Sequence, residues 1–192
     1  MKNLSSQKKR TYNKKDIAVM AVCHLGGGLR HIHMEDVALK AGELSPRDFS
    51  WRKYPERINL EAVRVTLKNE LASRERRVVG SIHDGWMVTP AGLSWCLSNS
   101  KVRGSEDFME QIQKEIGRVR TTMVFKKVIG GRSESVSDAE LRVFLRTDEY
   151  SSNRTSRERA IALLNAATLD RDLQTVLDRL TDIGIEGLEV PQ

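Results

Sequence analysis

Val78-Val79-Gly80-Ser81-Ile82-His83-Asp84-Gly85-Trp86-Met87-Val88-Thr89-Pro90-Ala91-Gly92-Leu93 packs two short apolar runs, a turn and a helix start into one segment. The apolar runs flank His83-Asp84-Gly85. Asp-Gly is a strong two-residue hairpin signal, because Gly accepts a positive φ at no steric cost. The second run ends at Thr89-Pro90. Thr caps free helix amides, and Pro at the first helical position forfeits no hydrogen bond. The segment therefore predicts a β-hairpin that feeds straight into a helix.

Upstream of the hairpin the periodicity is helical. Ile17, Met20, Ala21 and Leu25 predict a helix over Asp16 to Leu25, ended by Gly26-Gly27-Gly28. Arg30-His31-Ile32-His33 reads as a short extended piece, and Met34 to Leu44 as a second helix with Val37, Ala38 and Ala41 inward. Asn59 is placed to cap a third helix through Ser73, with the stripe Leu60, Val63, Leu67 and Leu71. Between the second and third helices lies Ser45 to Ile58, where Pro46 and Pro55 oppose a continuous helix. After the hairpin, Pro90 to Leu97 reads as a short helix.

Over residues 14–97 this order of helix, short strand, helix, helix, hairpin and helix resembles a winged helix-turn-helix DNA-binding domain. Gly85-Trp86-Met87-Val88-Thr89-Pro90-Ala91-Gly92 is similar to the family's wing. The resemblance implies that the third helix enters the DNA major groove and that the wing meets the backbone or minor groove. Carried onto this sequence, it makes Arg64 the first choice for a base contact, with Asn59 and Lys68 beside it. Arg76, Arg77 and His83 become wing residues near phosphates. Alternatively, Arg64 and Lys68 only solvate an exposed face.

One departure from the family concerns the 45–58 insert, longer than the turn of about 3–4 residues usual between such helices. It alternates Arg47, Arg52, Lys53 and Arg57 with Phe49, Trp51 and Tyr54. Stacking rings plus cations is the mix used for unpaired or distorted nucleic acid, which makes Trp51 and Tyr54 candidate base-stacking residues. The plainer reading has all three aromatics pin the loop to the core while the cations point outward.

The remaining chain is predicted to be helical. Ser98 to Ser105 reads as a linker. Phe108, Ile112, Ile116, Val119 and Met123 predict one helix over Glu106 to Val128. Ser137 and Glu140 form a capping-box pattern for a short helix through Arg146, and Thr155 and Glu158 form another. The second opens a long stretch through Ile161, Leu164, Leu169, Leu173, Val176, Leu177 and Leu180. That apolar seam can close inside its own bundle or pair with a second copy, and winged-helix regulators commonly dimerise through added helices. Residues 184–192 read as loop. The resulting expectation is a mainly α protein with a small β-hairpin wing. It has a basic disordered tail (1–13), a winged helix (14–97), a linker (98–105) and a helical domain (106–192) for dimerisation or partner docking.

Composition sets bounds on function. The chain has 192 residues, 39% apolar and 30% charged, with a net charge of +6. Residues 1–15 carry six basic residues and no acid, residues 16–104 carry 13 basic and 10 acidic, and residues 105–192 carry 13 basic and 16 acidic. A basic N-terminal half suits a polyanionic partner. No apolar run approaches the roughly 20 residues of a membrane span, and the lysine-rich opening does not read as a secretory signal. Cys23 and Cys96 lie in apolar helical patterns and read as buried thiols of a reducing cytoplasm.

Catalytic signatures are missing. Gly26-Gly27-Gly28 lacks the Gly-Lys-Ser/Thr of a phosphate loop, there is no Gly-x-Ser-x-Gly elbow, and the C-terminal carboxylates sit at helix starts or on polar faces. His31-x-His33 with Cys23, His24 and His83 lacks the close spacing of a zinc site. No metal or cofactor is expected. The reading is a cytoplasmic, non-enzymatic, double-stranded DNA-binding protein, most naturally a transcriptional regulator and a homodimer. The alternatives are an accessory DNA-targeting subunit of a restriction or phage-defence complex, or a winged-helix adaptor that binds a protein partner.

Overall fold

A computed structural model describes residues 12–99, 106–183 and 185. The hairpin forms β1 (Val78–Ser81) and β2 (Gly85–Val88), antiparallel, with Val78 opposite Val88 and Ser81 opposite Gly85. Its loop has three residues, Ile82 to Asp84, where the Asp-Gly signal predicted two. Gly85 takes φ +88° at the end of that loop, and the Ser81 hydroxyl accepts from the Asp84 amide at 3.0 Å. A three-residue loop closed by a left-handed Gly is the next most common hairpin solution. The extended piece before the second helix adds one rung: Ile32 and Trp86 exchange backbone hydrogen bonds of 2.8 and 2.9 Å.

Around this ribbon the N-terminal half places α1 (Lys14–His24), α2 (Met34–Leu44), the single turn α3 (Pro46–Phe49), α4 (Leu60–Leu71) and α5 (Pro90–Ser98). The periodicity of α1 predicts one inward face, yet every residue from Ile17 to Cys23 is buried. The helix runs through the middle of the half, against α2, α4, α5 and β2. Tyr12 and Asn13, assigned to the tail by sequence, belong to the fold: Asn13 caps α1 and the Tyr12 ring meets Trp95 edge-on at 6.3 Å. The other tail residues lie outside the described ones.

In α4 the buried stripe is Val63, Thr66, Leu67 and Glu70: Val63 and Leu67 are buried as predicted and Leu71 is half-buried against the core, but Leu60 is exposed. Two polar residues fit this stripe because each has a partner inside. The Thr66 hydroxyl donates to the Ala62 carbonyl at 2.7 Å, and Glu70 receives Arg77.

The C-terminal half has α6 (Glu106–Thr121), α7 (Met123–Ile129), a 3-10 turn (Ser133–Ser135), α8 (Asp138–Leu145), α9 (Asn153–Ala167) and α10 (Arg171–Asp182). Two expected long helices are each broken. Thr122 caps a restart after α6, accepting from the Phe125 amide at 3.4 Å, and Asp170 caps α10, accepting from the Leu173 amide at 2.9 Å. A side chain that satisfies free amides makes a new helix start inexpensive even where apolar spacing continues. The box predicted at Ser137 forms as read, and Glu140 is held down to about 2 by Lys127 and then by the Ser137 amide. The box predicted at Thr155 does not form. Ser152 caps α9 instead, accepting from the Thr155 amide, which leaves Thr155 inside the helix.

Leu173, Val176, Leu177 and Leu180 are buried, with α10 packed on α7 and α9, so the predicted seam closes within the chain's own bundle. The same apolar core continues into the N-terminal half. Asn165 of α9 stitches the two: its Nδ2 donates to the Gly28 carbonyl at 2.8 Å and to the Val88 carbonyl at 2.9 Å. Met87 and Val79 of the hairpin pack on Ile161 and Ala162 of α9. The ribbon is thereby held between α1 and α9. Residues 100–105, most of the predicted linker, lie outside the described residues. No helix among the described residues is long and apolar enough to cross a membrane.

Candidate nucleic-acid interface

The 45–58 insert is an ordered arm. Phe49, at the end of α3, is completely buried and anchors it. Ser50 and Ile58 form a bridge, the Trp51 amide donates to the Arg57 carbonyl at 3.0 Å, and the Arg57 amide donates to the Tyr54 carbonyl at 2.9 Å. The Asn59 amide closes the base by donating to the Phe49 carbonyl at 2.7 Å. Residues 51–57 project from this staple, with Trp51 52% and Tyr54 46% exposed. The prediction that all three aromatics pin the loop therefore holds for Phe49 alone. Lys53 Nζ and Arg57 Cζ lie 5.6 and 5.3 Å from the Tyr54 ring centre, and Arg52 is exposed between the two aromatics. Cations over a ring face are attracted by its quadrupole. The outcome is a small projection with two rings and three cations, opposed locally by Glu56, whose carboxylate is 3.8 Å from Arg57.

This arm ends where α4 begins. Asn59 is occupied as the cap, its side-chain oxygen accepting from the Ala62 amide at 3.0 Å, so its role is to hold the helix start. Arg64 and Lys68 follow one and two turns along α4, and Lys68 is exposed. Arg64 is engaged in a bidentate hydrogen-bonded pair with Glu61 on the same helix. That hydrogen bond lowers the Glu61 pKa, opposed by desolvation and aided by the charges of Arg64 and Lys68. Arg47 is exposed on α3.

Arg76 and Arg77 have opposite fates. Arg76 is exposed and takes a left-handed backbone, φ +42°, at the exit from α4 toward β1. Arg77, expected as a phosphate contact, is buried. Its Nε donates to Glu70 at 2.8 Å and its Nη2 to the other Glu70 oxygen at 3.1 Å, while Nη1 donates to Asp16 at 2.8 Å. Its guanidinium also lies 4.6 Å from the Trp95 ring centre. Burial pushes the Arg77 pKa down, but the hydrogen bonds and charges of Glu70 and Asp16 outweigh it and the net shift is upward. With its donors directed at carboxylates inside the fold, Arg77 leaves the set of surface cations.

His83 is exposed at the hairpin tip. Beside it, Asp84 is held by α9: Arg154 Nη2 donates to the Asp84 carbonyl at 2.7 Å, and its Nη1 lies 3.4 Å from the carboxylate. The Ser81 hydroxyl first, then the charges of Arg154, His31 and His83, depress the Asp84 pKa. His31 and His33 have separate structural partners. His31 Nδ1 is 2.8 Å from Glu158, and His33 Nδ1 accepts from the Glu35 amide. Among the described residues no His, Cys, Asp and Glu side chains gather as a metal-ligand set. Burial first, then the Lys40 charge, lowers the His24 pKa. The Cys23 and Cys96 thiols are buried together, and their hydrogen bond followed by burial raises the Cys96 pKa, the condition of an unreactive thiol.

Sequence reading missed Glu70 and Asp16 as the partners of Arg77, Arg154 as the partner of Asp84 and Glu158 as the partner of His31. Only Asp16 carried a signal, as the third residue after an Asn cap. No family model matches the chain, and neither a curated protein nor a solved structure matches it.

Proposed function

We propose that this chain is a cytoplasmic, non-enzymatic protein of winged-helix type that binds double-stranded DNA, with transcriptional regulation as its role. The observation that supports this is the placement of the cation- and ring-bearing arm at the N-terminus of α4, whose open face carries Arg64 and Lys68. In this reading α4 enters the major groove and Arg52, Lys53 and Arg57 neutralise adjacent phosphates. Arg76 and His83 touch the backbone at the flanks. The C-terminal helices brace the hairpin through Asn165, Arg154 and the Ile161 contact. Since the α10 seam is spent within the chain, a homodimer would draw on exposed apolar residues elsewhere, such as Met123, Val143 and Tyr150.

Fluorescence anisotropy against random-sequence duplex and single-stranded oligonucleotides at several salt concentrations tests the reading. The Arg64→Ala/Lys68→Ala variant should bind duplex at least roughly tenfold more weakly, and its log–log salt slope should flatten by about one per phosphate contact removed. Its circular dichroism should be unchanged, because both side chains lie outside the core. Glu61→Gln should act the other way, by about twofold, since it frees Arg64 from an exposed intrahelical pair. Wild-type affinity in the double variant sinks the docking model.

A second reading has its own support. Leu60 and Val65 on the open side of α4, and Leu39 and Leu44 on α2, are exposed apolar residues. They suit a protein-binding adaptor or an accessory subunit of a larger DNA-targeting complex. Absence of duplex binding even at low salt favours it.

A further inference from the structure

Between α6, the end of α8 and α9 lies a cavity of about 250 Å3, lined by Leu29, Gln111, Lys114, Glu115, Arg146, Arg159 and Ala162. Three cations and one carboxylate share this space, and the carboxylate is already committed. Arg118 binds both Glu115 oxygens through Nε and one through Nη2 at 2.6–3.1 Å, and Arg146 Nη1 approaches Oε2 at 3.2 Å. Arg118 is itself fixed, because it also donates to the Phe144 and Val143 carbonyls at the end of α8. The chain turns there through Arg146 in a left-handed conformation, φ +56°, which brings this guanidinium to the cavity.

Arg159 is the unmatched group. Its Nε is buried without a hydrogen-bond acceptor, and among the described residues its guanidinium has no hydrogen bond or ion pair. The side chain as a whole is half-buried, and a buried donor left unsatisfied, here Nε, is destabilising, so such a group in a cavity wall marks a place for an acceptor. Leu29 and Ala162 supply an apolar floor, where the reduced dielectric strengthens a charged contact.

We propose that this cavity is a binding site for a small phosphate-bearing ligand. Arg159 and Arg146 are the paired donors, Lys114, already paired with Glu110 at 2.7 Å, a third cation at the mouth, and Gln111 a neutral hydrogen-bonding side chain. Guanidinium groups suit the flat, bidentate edges of a phosphate, and a ligand of metabolite size fits the volume. The floor residues Leu29 and Ala162 also pack with Met87 beneath the hairpin. The site is independent of the DNA reading, since none of its residues lies on α4 or the arm.

The test is isothermal titration of the full chain with pyrophosphate, at constant ionic strength set by sodium chloride. Saturable one-to-one binding is expected. Arg159→Met keeps the aliphatic stem and removes the donors, and Arg146→Gly removes the charge at a backbone position glycine adopts without strain. Each should weaken pyrophosphate at least roughly tenfold while melting as wild type does. Arg132→Met, which removes an exposed cation outside the cavity, should leave binding unchanged. Arg64→Ala/Lys68→Ala should also leave it unchanged, whatever it does to duplex binding. No saturable binding by the wild type, or wild-type affinity in both Arg159→Met and Arg146→Gly, overturns the proposal. Loss of pyrophosphate binding only in the Arg64/Lys68 variant would assign it to the α4 face and overturn it equally.

Discussion

Glu70→Ala is expected to destabilise the protein by about 3–5 kcal/mol, the range for removing one partner from a buried ion pair. Glu70 is about 1% exposed and receives three donors of Arg77, including the backbone amide at 3.3 Å. Its loss leaves the guanidinium with Asp16 and the exposed rim carboxylate Glu75, at 3.2 Å. At roughly 2–4 °C per kcal/mol for a chain of this size, the melting temperature should fall by about 6–20 °C. Arg77→Met should cost a similar amount, because it strands Glu70. The double variant Glu70→Leu/Arg77→Met should recover most of the loss, since buried pairs replaced by apolar residues of like volume are often neutral. A thermal or urea melt decides the matter. A Glu70→Ala cost under about 1 kcal/mol would mean that water reaches the pair and that Arg77 is open to an outside anion after all. Under the proposed function this variant also separates two kinds of arginine: Arg77 changes should impair duplex binding only where they unfold the chain, and Arg64 changes should impair it with the fold intact.

That contrast shows where sequence reading stops. Arg76 and Arg77 are adjacent and chemically identical, and nothing in their neighbourhood distinguishes a solvent-facing arginine from one folded against Glu70, seven residues back, and Asp16, 61 residues back. Phe49, Trp51 and Tyr54 pose the same problem. Which ring enters the core depends on the backbone closing at Ser50–Ile58, a non-local event invisible to periodicity. Local chemistry was legible. The Asn59, Thr89 and Ser137 caps act within three residues, and each accepts the amide the spacing predicts. The restarts at Thr122 and Asp170 use the same chemistry but sit under uninterrupted apolar spacing, which favours reading through them. In the candidate interface, residue types and pairings within one helix were legible, and pairings between distant elements were not. Glu61 lies three residues from Arg64 on one helix and could be foreseen as its partner. Arg154 meeting Asp84 requires α9 to fold over the hairpin and could not.

The hairpin-to-helix segment carries the other large effect. Gly92→Ala should destabilise the protein by at least about 3 kcal/mol, although Ala for Gly inside a helix ordinarily stabilises by about 1 kcal/mol. A methyl group there would collide with the Arg77 carbonyl oxygen and lie 2.9 Å from its carbon and 3.2 Å from its Cα, all backbone atoms that cannot rotate away. The same carbonyl accepts the Thr89 amide at 3.0 Å, and the Thr89 hydroxyl donates to the Arg76 carbonyl at 2.8 Å. Separating α5 from the Arg77 backbone to admit the methyl would stretch both bonds and pull Arg77 from Glu70. The third residue of α5 must therefore be glycine for the Arg77 backbone, at the entry to β1, to lie against the helix, which gives the Thr89-Pro90-Ala91-Gly92 pattern a packing cause. Gly117, inside α6, is the control: a methyl there meets nothing within 4 Å, so Gly117→Ala should raise stability by about 0.5–1 kcal/mol. Parallel melts of the two variants should shift in opposite directions. A Gly92→Ala protein that melts at or above wild type would show that the Arg77 backbone does not lie against α5, and the hairpin-to-helix arrangement derived from this segment would fall with it.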